Sequence, residues 1–234
     1  MALLAITFKG ITYSFVEDNR MTGFVFEATI DGNVGESLDM AALPRTIYTL
    51  PTKLAIIIAA ISLSVAGAHL GLVILDWKSG RRTQPYAFRR NIMFVHIINA
   101  LLVLFAMIAI FVTHKSSSHF ADSYVSQRVE SMRDAPTNLE LVFRYNIGTF
   151  DLETWSCELK RVKGAQMVQD DYAKQCAIEV AGRAILVPFA LAAWLVAAVG
   201  IWSFIEGGRK GPDGQRMRTE EVGVEMEKMN ATDE

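Results

Sequence analysis

Three long runs of apolar residues dominate the chain, and none of them carries a formal charge. They cover residues 54–75, 92–113 and 184–205, with 22 residues in each. At a rise of about 1.5 Å per residue, a helix of that length reaches about 33 Å, enough to cross a hydrocarbon core of about 30 Å. The pattern predicts an all-α integral membrane protein with three transmembrane helices in a bundle. A short basic turn at 76–91 joins the first two.

The region before the first run, residues 1–53, has a different pattern. Apolar and polar residues alternate over 6–15 and again over 24–30, and Asp31, Gly32 and Asn33 then give a turn signal. A period of two residues is typical of a half-buried strand. The alternation therefore predicts an outward-facing β-element of two or three short strands.

A second interpretation concerns the first ten residues. The apolar start of the chain is interrupted at Lys9 after eight residues, which is too soon for a membrane span. It also lacks the basic start and the small-residue cleavage site of a signal peptide. Residues 1–10 could instead be the end of a fourth span whose beginning is missing. A complete chain would then have four spans and both ends inside the cell.

Both cysteines of the chain, Cys157 and Cys176, lie in the loop 114–183 between the second and third runs. Two cysteines on the oxidising side of a membrane predict one disulfide, and the alternative is a pair of unrelated reduced thiols. Closing a loop of about 20 residues stabilises a fold by about 3 kcal/mol. We therefore expect a disulfide-bonded outer domain at 114–183.

Basic residues near the span ends predict the orientation, because cytoplasmic loops retain Lys and Arg. Nine lie in the turn and in the tail after the third run: Lys78, Arg81, Arg82, Arg89, Arg90, Arg209, Lys210, Arg216 and Arg218. The other side has four in comparable windows and two at span edges: Arg45, Lys115, Arg128 and Lys174, then Lys53 and Arg183. The turn and a disordered tail at 206–234 are therefore expected in the cytoplasm. We expect the membrane to be a eukaryotic plasma membrane.

Composition agrees with the membrane class. The chain is 51% hydrophobic and 21% charged, and its mean hydropathy is +0.25. This is too apolar for an ordinary soluble domain, and a formal net charge of −2 gives no indication of a nucleic-acid partner. The lipid bilayer is the first partner that the sequence predicts.

Small residues share one face of the first predicted span, at Ala60, Ser64, Gly67 and Gly71. Such faces let helix backbones approach closely, and in lipid this close packing drives helix association. The face would pack either within the chain or against a second copy. The third run has a similar face at Ala190, Ala193, Ala197 and Gly200, which we expect to pack against the hairpin of the first two spans.

Two histidines are the polar residues of most interest in the predicted spans. His69 and His96 lie at nearly equal depth if the first two spans form an antiparallel hairpin, and Asn99 shares the face of His96. Polar residues in a span usually face the bundle interior and bond to each other, so an interhelical hydrogen-bond cluster is expected. The alternatives are a bis-imidazole site for haem b and a proton-coupled role. No third ligand lies nearby, so no metal site is predicted.

The outer loop also carries a family resemblance, in the residues Trp155, Cys157, Cys176 and Arg183. Claudin-type and related tetraspan proteins have a tryptophan and two cysteines in an outer loop, then an arginine at the mouth of the next span. The likeness covers about thirty residues, without the Gly-Leu that precedes the tryptophan in that family. It implies a four-span junctional or membrane-organising protein, with a tryptophan packed against a disulfide.

Motifs for phosphate binding, nucleophilic catalysis and metalloprotease chemistry do not occur in the sequence, so no catalytic residue is predicted and we expect a non-enzymatic protein. The expected function is membrane organisation or partner binding through the outer loop and the small-residue helix faces. The partner would be a second copy or another membrane or cell-surface protein. The alternatives are a subunit of a transporter or channel, and a haem-binding redox subunit. The lack of acidic residues in the spans argues against a coupled ion transporter.

Overall fold

The computed structural model describes residues 1–30, 33–78, 86–133 and 142–207, and this part of the chain is mostly helical. Its helices and strands in chain order are α1 (Ala2–Asp18), β1 (Gly23–Ile30), β2 (Asn33–Ala41), α2 (Leu50–Lys78), α3 (Tyr86–Lys115), α4 (Asp122–Arg133), α5 (Leu152–Leu159), α6 (Gln169–Ala184) and α7 (Leu186–Gly207). A short 3-10 helix, Lys163–Val168, precedes α6. The first two residues of the predicted 31–33 turn, most of the predicted basic turn and the predicted disordered tail from residue 208 lie outside the described residues.

Three helical segments are long and apolar enough to cross a membrane: Leu50–Lys78, Phe88–Lys115 and Lys163–Ile205. The first is α2, the second lies within α3, and the third runs from the 3-10 helix through α6 into α7. They contain the three predicted runs and extend beyond them. Between 17% and 33% of the residues in their most apolar parts are buried, so most of their apolar side chains lie on the surface. A helix that is apolar on all sides requires a non-aqueous environment, and a bilayer supplies one. The prediction of three helices able to span a membrane is confirmed.

The chain divides into two compact units. The large unit combines Met1–Leu63 with Leu102–Ala190, and the small unit combines Ser64–Leu101 with the chain from Leu191 onward. The large unit holds α1, the two strands, α4, α5 and α6, together with both cysteines. The small unit holds the histidine pair that the sequence singled out. The two units therefore present different candidate chemistry.

The prediction of strands over residues 6–15 is wrong, because this segment lies in helix α1. The buried side chains of α1 are Ala5, Lys9 and Thr12, which recur at helical spacing. Lys9 and Thr12 both bond to Glu179 of α6. Residues three apart lie on opposite faces of a strand but on one face of a helix, so only the helix brings both side chains to one carboxylate. A tertiary contact overrides the local alternation here.

The strands predicted over the second alternating segment are confirmed as an antiparallel hairpin. Strand β1 pairs with β2 so that Phe24 lies opposite Met40 and Phe26 lies opposite Leu38. Phe24, Phe26 and Met40 are buried, while Val25 between them is exposed. The period of two residues therefore separates a core face from a solvent face, as the sequence indicated.

An aromatic core lies behind this hairpin in the large unit. Trp155, Tyr145 and Phe150 are almost completely buried, and their ring centroids lie 5.1–5.5 Å apart. Phe120 adds an edge contact with Trp155 at 5.6 Å. Aromatic pairs in such geometry contribute about 0.5–1.5 kcal/mol each beyond the area they bury. The core thus holds together the hairpin, α5 and the segment that follows α3.

Candidate functional site

The disulfide and Trp155 are positioned by one short helix, α5. Asp151 begins this helix as its N-cap, and its side chain accepts a hydrogen bond from the backbone amide of Thr154 at 3.2 Å. Cys157, six residues beyond the cap, is bonded to Cys176 of α6. The predicted disulfide is therefore present, and it joins α5 to α6.

A single backbone carbonyl connects these helices to the end of β2. The Ala42 carbonyl accepts a hydrogen bond from the indole Nε1 of Trp155 at 2.9 Å and another from the hydroxyl of Tyr172. Burial raises the pKa of Tyr172, so its hydroxyl stays protonated and remains a donor. Trp155 contacts the aromatic rings of Phe120, Tyr145 and Phe150. The packing of this tryptophan against the disulfide stays a prediction.

A groove of about 370 Å³ opens beside these contacts, between α1, β1 and α6 in the large unit. Phe15, Phe24 and Tyr172 form its aromatic walls, and Asp171 and Lys174 lie on its rim. The two rim charges are 3.6 Å apart, and both side chains are largely exposed. An apolar cleft with a few polar groups at its edge is the usual form of a binding site for a ligand or a partner side chain. We refer to it as the α1–α6 groove.

One arginine completes the part of the large unit that resembles the claudin pattern. Arg183, at the end of α6, donates to both carboxylate oxygens of Glu153, each at 2.8 Å.

No protein-family model, curated protein or solved structure matches the chain. Function must therefore be inferred from the contacts within this protein.

A cluster that sequence analysis missed surrounds this arginine. The His114 Nδ1 lies 3.0 Å from Asp151 Oδ2 and 3.8 Å from Glu153 Oε2, and these three ligand atoms are close enough to hold a cation. Arg183 already neutralises Glu153, however, and His114 bonds to Asp151, so the arrangement links α5 to the ends of α3 and α6. His114 lies 37 positions from Asp151 and Arg183 lies 30 from Glu153, and no spacing rule could have grouped them.

A second histidine of the large unit holds the aromatic core in place from outside. The His119 Nδ1 lies 2.6 Å from Glu158 Oε1, and the other oxygen of Glu158 accepts the backbone amide of Phe120 at 2.6 Å. The hydrogen bond to Glu158 raises the pKa of His119, because it favours the protonated ring. Protonated His119 therefore stabilises the segment that places Phe120 against Trp155.

The histidines predicted to form an intramembrane cluster are in contact within the small unit. His69 Nδ1 and His96 Nε2 are 2.8 Å apart, which is a hydrogen-bond distance, and the ring centroids are 4.9 Å apart. Asn99 lies one turn further along α3 and is half-buried. Two imidazole nitrogens on opposite sides of one metal ion, each at about 2.0–2.1 Å, would be about 4 Å apart. The observed pair has the geometry of an interhelical hydrogen bond, and haem coordination would require the rings to separate.

The two small-residue faces differ. On α2, Ala60, Ser64 and Gly67 are exposed, and a Cβ built at Gly67 or Gly71 would have no heavy atom within 4 Å. On α7, Ala190, Ala193 and Ala197 are buried, and a Cβ at Gly200 would lie 3.8 Å from the Cα of Met93. The α7 face thus packs within the chain. At its glycines, the α2 face has open space around it among the described residues.

Proposed function

We propose that this is a non-enzymatic, multi-pass membrane protein that binds another membrane or cell-surface protein through its large unit. Three helices able to cross a bilayer support the membrane part of this proposal. A disulfide, an aromatic core and the Arg183–Glu153 ion pair make the large unit a rigid platform. The observation that carries the binding role is the α1–α6 groove, because it combines aromatic walls with a charged rim.

The groove suits an apolar side chain presented by a protein partner. Phe15, Phe24 and Tyr172 offer flat apolar surfaces, and aromatic residues are enriched in the centres of protein interfaces. Asp171 and Lys174 offer one charge of each sign at the rim, where exposed charges fix register more than they add affinity. A cleft of this size holds one or two anchor side chains, and flatter contacts around it would complete the interface.

Assembly within the membrane would use the open face of α2. Gly67 and Gly71 leave room for the backbone of another helix, and such close approach stabilises helix pairs in lipid. The occupant would be α2 of a second copy or a helix of another membrane protein. The protein would then organise the membrane by joining an outer contact to a lateral one.

The proposed orientation places the large unit, apart from the span residues it contains, outside and the C-terminal tail in the cytoplasm of a eukaryotic cell, at the plasma membrane. The Cys157–Cys176 bond supports the outer location of the large unit, because disulfides persist on the oxidising side of a membrane. The basic residues that flank the spans on the other side support a cytoplasmic turn and tail.

Photo-cross-linking in intact cells tests the groove. A benzophenone amino acid would replace Lys174 on the rim, and Gln127, an exposed residue of α4, would carry it as the matched control. We expect position 174 to give a discrete adduct, identified by mass spectrometry as a second copy or one membrane protein. A Thr22→Trp change in the groove lining should abolish that adduct by filling the cleft.

Equal adducts from positions 174 and 127 would contradict a binding role for the groove. So would an adduct that persists unchanged in the Thr22→Trp variant. Thermal unfolding of that variant must match the unaltered protein, which shows that the groove was filled without loss of the fold.

A further inference from the structure

The small unit contains a cavity of about 310 Å³ that is lined by both polar and apolar side chains. Arg89 of α3, His69 of α2 and Ser203 of α7 supply the polar groups. Leu195 and Val199 of α7 supply much of the apolar wall. Leu195 precedes Ser203 by eight residues, so the lining extends about 12 Å along the axis of α7.

Arg89 is the unusual member of this lining. Its Nε is buried, and no described residue accepts a hydrogen bond from it. A buried donor on a charged group is costly when it lacks an acceptor, so such groups in native proteins normally have a partner. The neighbouring Arg90 is exposed and does not line the cavity. Arg89 therefore has a donor for which the described residues supply no acceptor.

The other polar residues of the lining fit an anionic acceptor. The His69 ring is held in place by its 2.8 Å contact with His96, and Ser203 adds a hydroxyl. Among the described residues that line the cavity, none is acidic. A guanidinium, an imidazole and a hydroxyl that line one cavity form a typical donor set for phosphate oxygens, which match the planar fork of arginine.

The apolar wall indicates what the phosphate is attached to. Leu195 and Val199 are 67% and 68% exposed, so the cavity opens along an uncovered apolar strip of α7. A free inorganic anion would gain nothing from this strip, whereas hydrocarbon chains would cover it. Basic pockets between membrane helices on the cytoplasmic side bind lipid head groups in this way. Arg89 lies next to the basic turn that our orientation places in the cytoplasm.

We propose that this cavity binds an anionic phospholipid of the cytoplasmic leaflet. The phosphate accepts hydrogen bonds from Arg89, with His69 and Ser203 beside it, and the acyl chains lie along Leu195 and Val199. The inference rests on the proposed membrane insertion and orientation, and it adds a selective lipid partner to them. It is independent of the α1–α6 groove.

Native mass spectrometry of the full-length protein in detergent tests the proposal. The probes are dioleoylphosphatidylglycerol, dioleoylphosphatidylcholine and inorganic phosphate. We expect the anionic lipid to bind at least about tenfold more tightly than the zwitterionic one, and Arg89→Gln to remove that preference, a loss equivalent to about 1.4 kcal/mol. Arg90→Gln is the matched control, since it removes the same charge from the exposed neighbour and should change affinity less than about twofold.

A Val199→Phe variant keeps the proposal testable if Arg89→Gln fails to fold. This change narrows the apolar part of the cavity and leaves Arg89 in place, so binding of the anionic lipid should fall. Equal losses in the Arg89 and Arg90 variants would overturn the proposal in favour of general attraction to basic residues. Equal affinity for both lipids would also overturn it. So would displacement of the anionic lipid by inorganic phosphate, if it occurs equally in the Val199→Phe variant and in the unaltered protein.

Membrane insertion is checked separately by extraction of cell membranes with alkaline carbonate. Release of the protein into the soluble fraction would refute the proposed membrane function itself. Retention in the membrane without lipid selectivity would refute the cavity proposal alone.

Discussion

Replacing Lys9 with methionine would remove the positive partner of a carboxylate that has almost no contact with solvent. The side chains of Lys9 and Glu179 are 3% and 4% exposed, and their charged atoms are 2.9 Å apart. Glu179 also accepts hydrogen bonds from Thr12 and from Gln175, the latter at 3.0 Å. The pair is the main polar contact between α1 and α6, so it tests the helical N-terminus directly.

Removing one member of a buried ion pair lowers the free energy of unfolding by about 3–5 kcal/mol, because the remaining charge is left in a medium of low polarity. The two remaining donors to Glu179 place the Lys9→Met variant near the lower end of that range. At about 2–4 °C per kcal/mol for a unit of this size, 3 kcal/mol lowers the melting temperature by about 6–12 °C. The double variant Lys9→Met, Glu179→Gln removes both charges and keeps a side-chain oxygen that accepts from Thr12 and Gln175, so it should unfold within about 1 kcal/mol of the unaltered protein. Thr12 keeps a partner there, because its hydroxyl also bonds to the carbonyl of Phe8.

Thermal unfolding in detergent, followed by tryptophan fluorescence, measures these differences. Trp155 is the buried tryptophan of the described chain, and it reports on the large unit that holds the ion pair. Lys174→Met is the matched control, since this exposed lysine of α6 pairs with the exposed Asp171 and should change stability by less than about 1 kcal/mol. A double variant as unstable as Lys9→Met would refute the reasoning, and so would a Lys9→Met variant that melts with the control.

Three further predictions concern other contacts. Changing both disulfide cysteines to serine should lower the free energy of unfolding by about 3 kcal/mol in a chemical denaturation assay, and an unchanged midpoint would show that the bond contributes nothing. The Glu158 carboxylate raises the pKa of His119, so the stability from this pair is fully present below about pH 6.5 and is lost as the pH rises through the folded-state pKa. Melting temperatures measured across that interval should fall in the unaltered protein but not in His119→Gln, and parallel curves would exclude the pair as the cause. Changing Gly67 and Gly71 to leucine should reduce self-association in cross-linking experiments. The melting temperature should stay unchanged, because a Cβ built at either position has no heavy atom within 4 Å. A large drop in melting temperature would instead indicate packing within the chain.

The spans, the disulfide and the hairpin were predictable because each depends on a local or compositional signal. An uncharged run of 22 residues needs no knowledge of its neighbours to be recognised as a helix for lipid. Two cysteines in one loop leave a single intramolecular pairing. The alternation around Phe24 and Phe26 had a real partner strand immediately after it.

Other features depended on contacts that the sequence does not encode locally. The alternation over residues 6–15 suggested strands, but Lys9 meets Glu179 across 170 positions and a helix results. The network of His114, Asp151 and Arg183 likewise draws on three separate segments. Charge counts placed Arg89 in a basic turn, whereas burial of its Nε beside α7 emerges only from the packed helices.

The Ala42 carbonyl has a consequence for biosynthesis. Its two donors, Trp155 and Tyr172, follow it by 113 and 130 residues. Both apolar helices, α2 and α3, lie in the sequence between Ala42 and these donors. The ribosome therefore delivers two membrane segments before the groups that complete the core exist. During that interval Phe24 and Phe26 lack their final covering, so we expect the hairpin to stay exposed until α5 and α6 have been made. We expect a nascent chain arrested at residue 150 to be cut by protease within the hairpin, and the released full-length chain to resist. Because Cys176 follows all of these segments, the disulfide forms only after most of the core has been synthesised.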